Sequence, residues 1–275
     1  MTHSPYDSLS ETEWAEVERV HDLMEEGELE SARLSVSALV RKRPGQPDLR
    51  ILDATLSLEE GEPEQALETL KGAERGADPS EFFFLRASAH YDLVRFTDSC
   101  ADAQRAVAIV PGYAQAWDLL SRALEFLGRG SEAVEASEKA EALDPEQFPQ
   151  PLDVSSEDFD ALVEKSLAEL PKRIRAKLDE VPVVVQDLPT ESMLTEDRPP
   201  LTPDLLGLFV GHHLFAESSG APPEVPGSIH LFRRNLLRAC TDREDLAREI
   251  RITVQHEVGH LLGLDEDELE DWGLA

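Results

Sequence analysis

The segment TDREDLAREIRITVQHEVGHLLGLDE, residues 241–266, decides the fold of the C-terminal part of the chain. Its apolar residues recur every four positions, which is the spacing of one face of an α-helix. These residues are Leu246, Ile250, Val254 and Val258. Thr241 or Asp242 can cap the start of the helix, and Gly263 can end it because glycine adopts a positive φ without steric cost. The segment therefore predicts an amphipathic helix with one buried face.

Two histidines and a glutamate lie within this predicted helix. His256 and His260 are four residues apart, so their imidazoles project from one face, and Glu257 stands beside them. Neutral imidazoles are ligands that zinc prefers, and an adjacent carboxylate can take a proton from a water molecule. The pattern predicts a metallopeptidase site in which His256 and His260 bind Zn²⁺ and Glu257 is the base.

A catalytic zinc ion needs a third protein ligand and one open position for water. Only fifteen residues of the chain follow His260, so we expect this ligand in the acidic run directly after the helix. Glu266 is the favoured ligand, Asp265 and Asp267 are alternatives, and a further alternative is that this segment supplies no third ligand. These acids also fit a helix cap or a solvated surface. Three other histidines fit ordinary polar roles better than metal binding: His212, His213 and His230.

The residues before this helix predict a small α+β unit. An apolar stripe predicts a helix over residues 156–170, and three short β-rich runs predict strands. The strands are expected at residues 181–186, where a β-branched run fits a buried strand, at 205–210 and at 228–233. Proline-containing loops, 188–204 and 217–227, flank the middle strand. A sheet backing two helices is one of the few layer arrangements that bury both.

From about Ser155 to Ala275 the chain resembles the zincin-like metallopeptidase domains, also called minimal metalloprotease-like domains. This resemblance implies an α+β zincin-like fold, a zinc cofactor and hydrolysis of peptide bonds. It also implies an acidic residue at the position of Glu266. The matching segments, in chain order, are FDALV at 159–163, LP at 170–171, VVV at 183–185, LLGLF at 205–209, IHLFRR at 229–234 and HEVGHLLG at 256–263.

The first half of the chain contains a repeat of about 34 residues. Gly27, Gly61, Arg95 and Gly128 recur at steps of 34, 34 and 33 residues. A small residue follows each of them by five positions, and prolines punctuate the repeat ends. The small residues are Ala32, Ala66, Cys100 and Ala133, and the prolines are Pro44, Pro79, Pro111 and Pro145. A small side chain at a fixed place lets two helices of one repeat pack closely.

This pattern resembles the tetratricopeptide repeat (TPR), most clearly in PGYAQAW at residues 111–117. Four repeats can stack into an all-α solenoid, and such solenoids present a groove to a peptide or protein partner. The expected organisation is a flexible N-terminus at 1–10, helical repeats at 11–145, a linker at 146–154 and a zincin-like domain at 155–275. The linker contains Pro149 and Pro151, which favour an extended joint.

Composition restricts the classes of partner. The formal net charge of −31 disfavours nucleic acid and anionic membrane surfaces, because both would be repelled. The chain has no apolar run of membrane-spanning length, and its first residues are polar, unlike a signal peptide. Only two cysteines, Cys100 and Cys240, argue against a disulfide framework and favour the cytoplasm.

The sequence as a whole predicts a zinc-dependent metallopeptidase that cleaves a peptide or protein substrate and binds a partner through its TPR groove. The alternative is a non-catalytic TPR scaffold or adaptor whose zinc site is structural or inactive. The two differ in whether a coordination position stays open for water.

Overall fold

The computed structural model describes residues 8–178, 181–196, 198–211 and 227–261. The chain divides into two compact units. One comprises Met1–Pro149 and Thr195–Pro200, and the other comprises Gln150–Leu194 and Leu201–Ala275.

The first unit is an array of helices in which each helix packs against the next. The helices are α1 (Glu11–Glu25), α2 (Leu29–Lys42), α3 (Pro47–Glu59), α4 (Pro63–Leu70), α5 (Pro79–Asp92), α6 (Phe96–Ile109), α7 (Ala114–Phe126) and α8 (Gly130–Leu143). They form four successive pairs, and α3 also contacts α5, as α5 contacts α7. This arrangement confirms the predicted all-α repeat region.

A residue with positive φ turns the chain between the two helices of each pair. In three pairs it is a glycine: Gly27 with φ 76°, Gly61 with φ 73° and Gly128 with φ 69°. In the third pair it is Val94, with φ 59°, and not the predicted Arg95. The repeat steps are therefore 34, 33 and 34 residues, so the predicted alignment of the third repeat was wrong by one position.

The same one-residue shift applies to the small residue at the helix contact. Each of these residues donates its backbone N–H to the N-cap carbonyl of the second helix: Ala32 to Glu28, Ala66 to Glu62, Ser99 to Arg95 and Ala133 to Arg129. Ser99 therefore occupies the place that the sequence predicted for Cys100, and its side chain is fully buried. Cys100 is also buried, as a neighbour of this contact.

The second unit is a three-stranded sheet with helices packed on it. Its elements are α9 (Ser156–Glu169), α10 (Lys172–Leu178), β1 (Val183–Gln186), α11 (Glu191–Leu194), β2 (Gly207–Val210), β3 (Ser228–Phe232), α12 (Arg233–Ala239) and α13 (Arg243–Leu261). The strand order is β1-β3-β2. Strand β1 is parallel to β3, and β2 is antiparallel to it. These elements confirm the predicted α+β class.

The core of this unit lies between one face of the sheet and helices α9 and α13. Phe159 of α9 and Ile229 and Leu231 of β3 are fully buried. The four apolar residues that predicted α13 join them, and each is 0% exposed: Leu246, Ile250, Val254 and Val258. Burial of such side chains contributes roughly 1.5–3 kcal/mol each before entropy is subtracted, so this stripe fixes which face of α13 meets the sheet.

Two details of the sheet differ from the prediction. The valine run of β1 was expected to be a buried strand, but β1 is an edge strand and Val184 is 36% exposed. Strand β3 was expected to extend to Arg233, but it ends at Phe232, where α12 begins. The chain turns there because the backbone N–H of Arg234 bonds to the carbonyl of Asp187.

The predicted loop at 188–204 contains the short helix α11. Most of the second predicted loop, 217–227, lies outside the described residues. In the part of the chain that the structure describes, no helix is both long enough and apolar enough to cross a membrane.

Candidate metal centre

Helix α13 carries the predicted site, and its start is capped as the sequence suggests. The carboxylate of Asp242 accepts the backbone N–H groups of Glu244 and Asp245, at 2.8 and 2.9 Å. In return, the Asp245 carboxylate accepts the N–H of Thr241, at 3.0 Å. This cap and the buried stripe fix the rotation of α13 about its axis. The helix is described as far as Leu261, one turn past the start of the HEVGH run.

The structure brings the two predicted histidine ligands together. The Nε2 atoms of His256 and His260 are 2.9 Å apart, the ring centroids are 4.5 Å apart, and the ring planes are inclined at 87°. Two nitrogens on one tetrahedral zinc ion, each at about 2.0–2.1 Å, lie about 3.3 Å from each other. The observed separation is a few tenths of an ångström shorter, a difference that small side-chain rotations cover. The donor pair therefore fits zinc.

The side chain of Glu257 points from α13 toward strand β2 of the sheet. Its side chain is 6% exposed, and Oε2 accepts the backbone N–H of Phe209 in β2 at 2.6 Å. This contact fixes the orientation of the carboxylate relative to β2. The sequence did not reveal it, because a backbone N–H donor leaves no trace in residue identity.

A close approach of β2 to α13 makes this contact possible. A Cβ added at Gly207 would lie 2.5 Å from Thr253 Cγ2 and 3.4 Å from Glu257 Cγ. A side chain at this point of β2 would therefore force Thr253 to move. The signal was present in the LLGLF run, since an isolated glycine inside a strand often marks a close backbone approach.

The register shows which backbone N–H and C=O groups of β2 point away from β3. Phe232 N donates to Leu206 O, so the bonds between β2 and β3 fall at Leu206 and every second residue after it. The N–H and C=O groups of Gly207 and Phe209 consequently point to the free edge. One of these groups, the Phe209 N–H, is the donor to Glu257.

The predicted third ligand lies outside the described residues. This holds for Glu266 and for the alternatives Asp265 and Asp267, and likewise for His212 and His213. Among residues 8–178, 181–196, 198–211 and 227–261, no three His, Cys, Asp or Glu side chains are grouped as a metal site. The identity of the third ligand thus stays a prediction.

His230 lies on the opposite face of the sheet from the metal pair. Its neighbours Ile229 and Leu231 point into the core with α13, so alternation turns His230 outward. Its ring nitrogens contact the Ser228 hydroxyl at 2.9 Å and the Gln186 side-chain oxygen at 3.1 Å. Burial lowers the pKa of His230, which favours the neutral ring. It is an ordinary hydrogen-bonded polar residue of the sheet.

Comparison with known proteins finds a sequence similarity for part of the second unit. The zincin-like metallopeptidase family matches residues 178–274, which is less than half of the chain. No curated protein matches the chain.

The similarity of the chain to solved structures is weaker. A crystal structure of MamA is 21% identical with a TM-score of 0.40, covering 57% of this chain and 86% of that chain. A structure of pilF from Pseudomonas aeruginosa is 16% identical with a TM-score of 0.46, covering 96% of this chain and 98% of that chain. By sequence, residues 178–274 are similar to the zincin-like metallopeptidases, and the helix pairs of the first unit fit the TPR that their repeat predicts.

Proposed function

We propose that the chain is a zinc-dependent metallopeptidase. One observation carries the proposal: on one turn of α13, two imidazole Nε2 atoms converge to 2.9 Å, and Glu257, the residue that follows His256, is 6% exposed. Both histidines are half-buried, and their contacting ring nitrogens lie at nearly the separation of two ligands on one zinc ion. The match of residues 178–274 to the zincin-like metallopeptidase family supports the same reading.

His256, His260 and Glu266 would hold the Zn²⁺ ion. When bound, zinc supplies a Lewis acid that polarises the scissile carbonyl and makes a water molecule more acidic. Two imidazoles and a carboxylate leave this centre less positive than three imidazoles would. Asp265 and Asp267 are the alternative third ligands.

Glu257 would act as the general base and then as the general acid. Its carboxylate takes the proton of the attacking water and passes it to the leaving amine nitrogen. The Phe209 N–H holds this carboxylate in place through the 2.6 Å hydrogen bond. The outward backbone groups of Gly207 in β2 would align an extended substrate.

The first unit would bind a protein or peptide partner, which is what TPR-like solenoids commonly do. Both cysteines, Cys100 and Cys240, are free and buried. Free thiols support a reducing compartment, which we propose to be the cytoplasm.

The test combines metal content with hydrolysis. We expect one zinc ion per full-length chain, lost when His256→Ala and His260→Ala are combined. Glu257→Gln should keep the zinc ion but lower peptide hydrolysis by at least about a hundredfold, the usual share of a general base. Glu244→Gln, which removes a carboxylate from the exposed first turn of α13, is the matched control and should cleave as the parent does.

Two results would contradict the proposal. Unchanged hydrolysis in the Glu257→Gln protein would remove the assigned base. Retained zinc with no hydrolysis by the parent protein, over a broad set of peptides, would favour the scaffold with a structural zinc ion.

A further inference from the structure

A second groove of the C-terminal unit lies at the edge of the sheet opposite to β2. Strand β1 forms this edge, since β3 is its one neighbour among the strands that the structure describes. A cavity of about 520 Å³ runs between β1 and helix α9. Its wall on the α9 side contains Asp160, Val163, Glu164 and Leu167. None of these residues belongs to the candidate metal centre.

The register of β1 leaves backbone groups pointing into this groove. Ile229 N donates to Pro182 O, and Ile229 pairs with Val183, so β1 bonds to β3 through residues 182, 184 and 186. The N–H and C=O groups of Val183 and Val185 therefore face away from β3. Both valines line the cavity. Unpaired groups of an edge strand are a template for one more strand.

The α9 side of the groove is acidic. Asp160 and Glu164 are exposed, lie four residues apart on one face, and have no ion-pair partner among the described residues. Two other carboxylates of α9 are paired: Asp158 with Arg243 at 3.0 Å, and Glu169 with Arg251 at 3.1 Å. Like charges four apart on a helix repel each other. A cationic ligand would relieve this repulsion.

One end of the groove is closed. The guanidinium of Arg233 bonds to the Ser156 hydroxyl at the start of α9 and to the Asp187 carboxylate directly after β1. This contact spans the groove beyond the last residue of β1, and β1 itself offers four residues for pairing. It also occupies Arg233, the arginine that lines the cavity among the described residues, so the charge offered to a ligand remains negative.

The spacing of the two free carboxylates matches a strand. Four residues of α-helix advance about 6 Å, and two residues of extended chain advance about 6.7 Å. Basic residues at positions i and i+2 of an added strand would therefore reach Asp160 and Glu164 together. The aliphatic stems of lysine or arginine would cover Val163 and Leu167, and the cationic heads would reach the carboxylates.

We propose that this groove binds an extended protein segment in which Lys or Arg alternates with β-branched residues, as a fourth strand beside β1. Binding requires neither the metal ion nor hydrolysis, so the inference is independent of the proposed function.

The test uses the full-length protein carrying Glu257→Gln, which prevents cleavage of the probe. The probe is a fluorescent Val-Lys-Val-Lys-Val peptide, and binding is measured by anisotropy. Its control, Val-Val-Lys-Lys-Val, has the same composition and charge but the wrong spacing. We expect the alternating peptide to bind at least about tenfold more tightly, because only it places both cations on the α9 wall. Equal affinities would overturn the proposal.

Two protein variants locate the groove. Asp160→Asn combined with Glu164→Gln should weaken binding of the alternating peptide at least about tenfold. The matched control, Asp153→Asn with Glu157→Gln, removes the same number of charges at positions that do not line the cavity and should bind as the parent does. Val185→Pro removes an outward N–H without touching the bonds to β3, and should also weaken binding. Parent-like binding by both groove variants would refute the site.

Methylated peptides test the strand geometry without altering the protein. In an added strand, every second N–H faces β1. N-methylation of the valines and N-methylation of the lysines should therefore differ, with one form losing binding and the other keeping it. If both forms bind, or neither does, the peptide is not held as a strand.

Discussion

At the residue scale, Glu13 shows how a buried charge ties helix α1 to its neighbours. Its carboxylate is 4% exposed. It accepts the Ser10 N–H at 2.8 Å and the Ser10 hydroxyl at 2.8 Å, and forms an ion pair with Arg43 at 3.1 Å. The backbone bond from Ser10, followed by its hydroxyl and by Arg43, lowers the pKa of Glu13 to about 2 from an ordinary value of 4.5.

This contact predicts an acid-sensitive contribution to the stability of the first unit. A carboxyl whose folded pKa is depressed stabilises the folded state fully above its unfolded pKa, and this contribution is lost as the pH falls from 4.5 to about 2. Glu13→Gln should lower the free energy of unfolding at neutral pH and flatten its decline in that window. Urea denaturation of the N-terminal helices at successive pH values measures both effects.

Two comparisons make this prediction specific. Glu11→Gln removes the same charge from the same helical turn and should keep the slope of the parent. Ser10→Ala removes the cap and should cost about 1 kcal/mol. A Glu13→Gln protein whose stability falls with acid as steeply as that of the parent would show that Glu13 is not the titrating group.

Residue-scale details limited what the sequence could predict in the third repeat. Glycine marks the turn in three repeats, so the pattern was extended to Arg95 at a 34-residue step. The structure instead places Val94 at φ 59°, a conformation that β-branched residues rarely adopt. The packing of α5 and α6 on both sides overrides this local preference, and packing is not visible in a residue count.

At the element scale, the distance between β2 and α13 depends on Gly207 and Thr253. Because a Cβ at Gly207 would lie 2.5 Å from Thr253 Cγ2, Gly207→Ala should force the strand and helix apart. Overpacking of this kind costs about 1–3 kcal/mol. We expect this loss in the free energy of unfolding of the C-terminal unit, measured by urea denaturation.

A double-mutant cycle checks the physical reason. Thr253→Ser removes Cγ2, and should therefore recover part of the loss when it is combined with Gly207→Ala. The recovery should be incomplete, because His230 O would still lie 3.1 Å from the new Cβ. Strictly additive effects of the two substitutions would mean that this contact does not set the distance.

The periodicity of the sequence predicted the type of each element, but not which elements lie next to each other. The four-residue stripe predicted α13 and its buried face, and all four stripe residues are buried. The valine run of β1 predicted a strand but the wrong position in the sheet, since a run of valines fits both an edge and a centre. Likewise, HEVGH predicted that His256 and His260 converge, but it contained no information on the contact from Phe209 to Glu257.

At the scale of the whole molecule, two observations separate the units. The repeat pattern and the HEVGH helix fall in different units, and each unit has its own buried cluster. The sequence could predict this organisation because repeats and a metal motif are local patterns. It could not predict that Thr195–Pro200 belongs with the first unit, because that grouping depends on contacts between residues far apart in the chain.

This separation predicts how zinc acts on the stability of the protein. A ligand that binds only the folded state adds about 2.7 kcal/mol when its concentration is a hundred times Kd. In calorimetry of the full chain, zinc should therefore raise the melting temperature of the C-terminal unit by roughly 10 °C. The N-terminal helices should melt where they did before, since the two predicted histidine ligands lie in α13.

Two controls identify the site of binding. The protein with both His256→Ala and His260→Ala should show no zinc-induced shift, and Mg²⁺, which prefers oxygen ligands, should not replace zinc. If zinc stabilised the helical repeats as much as the C-terminal unit, or still stabilised the double variant, the ion would be bound elsewhere. Because the shift depends on binding alone, it reports the metal site even if the chain hydrolyses no peptide, and so separates a failure of the site from a failure of the catalytic assignment.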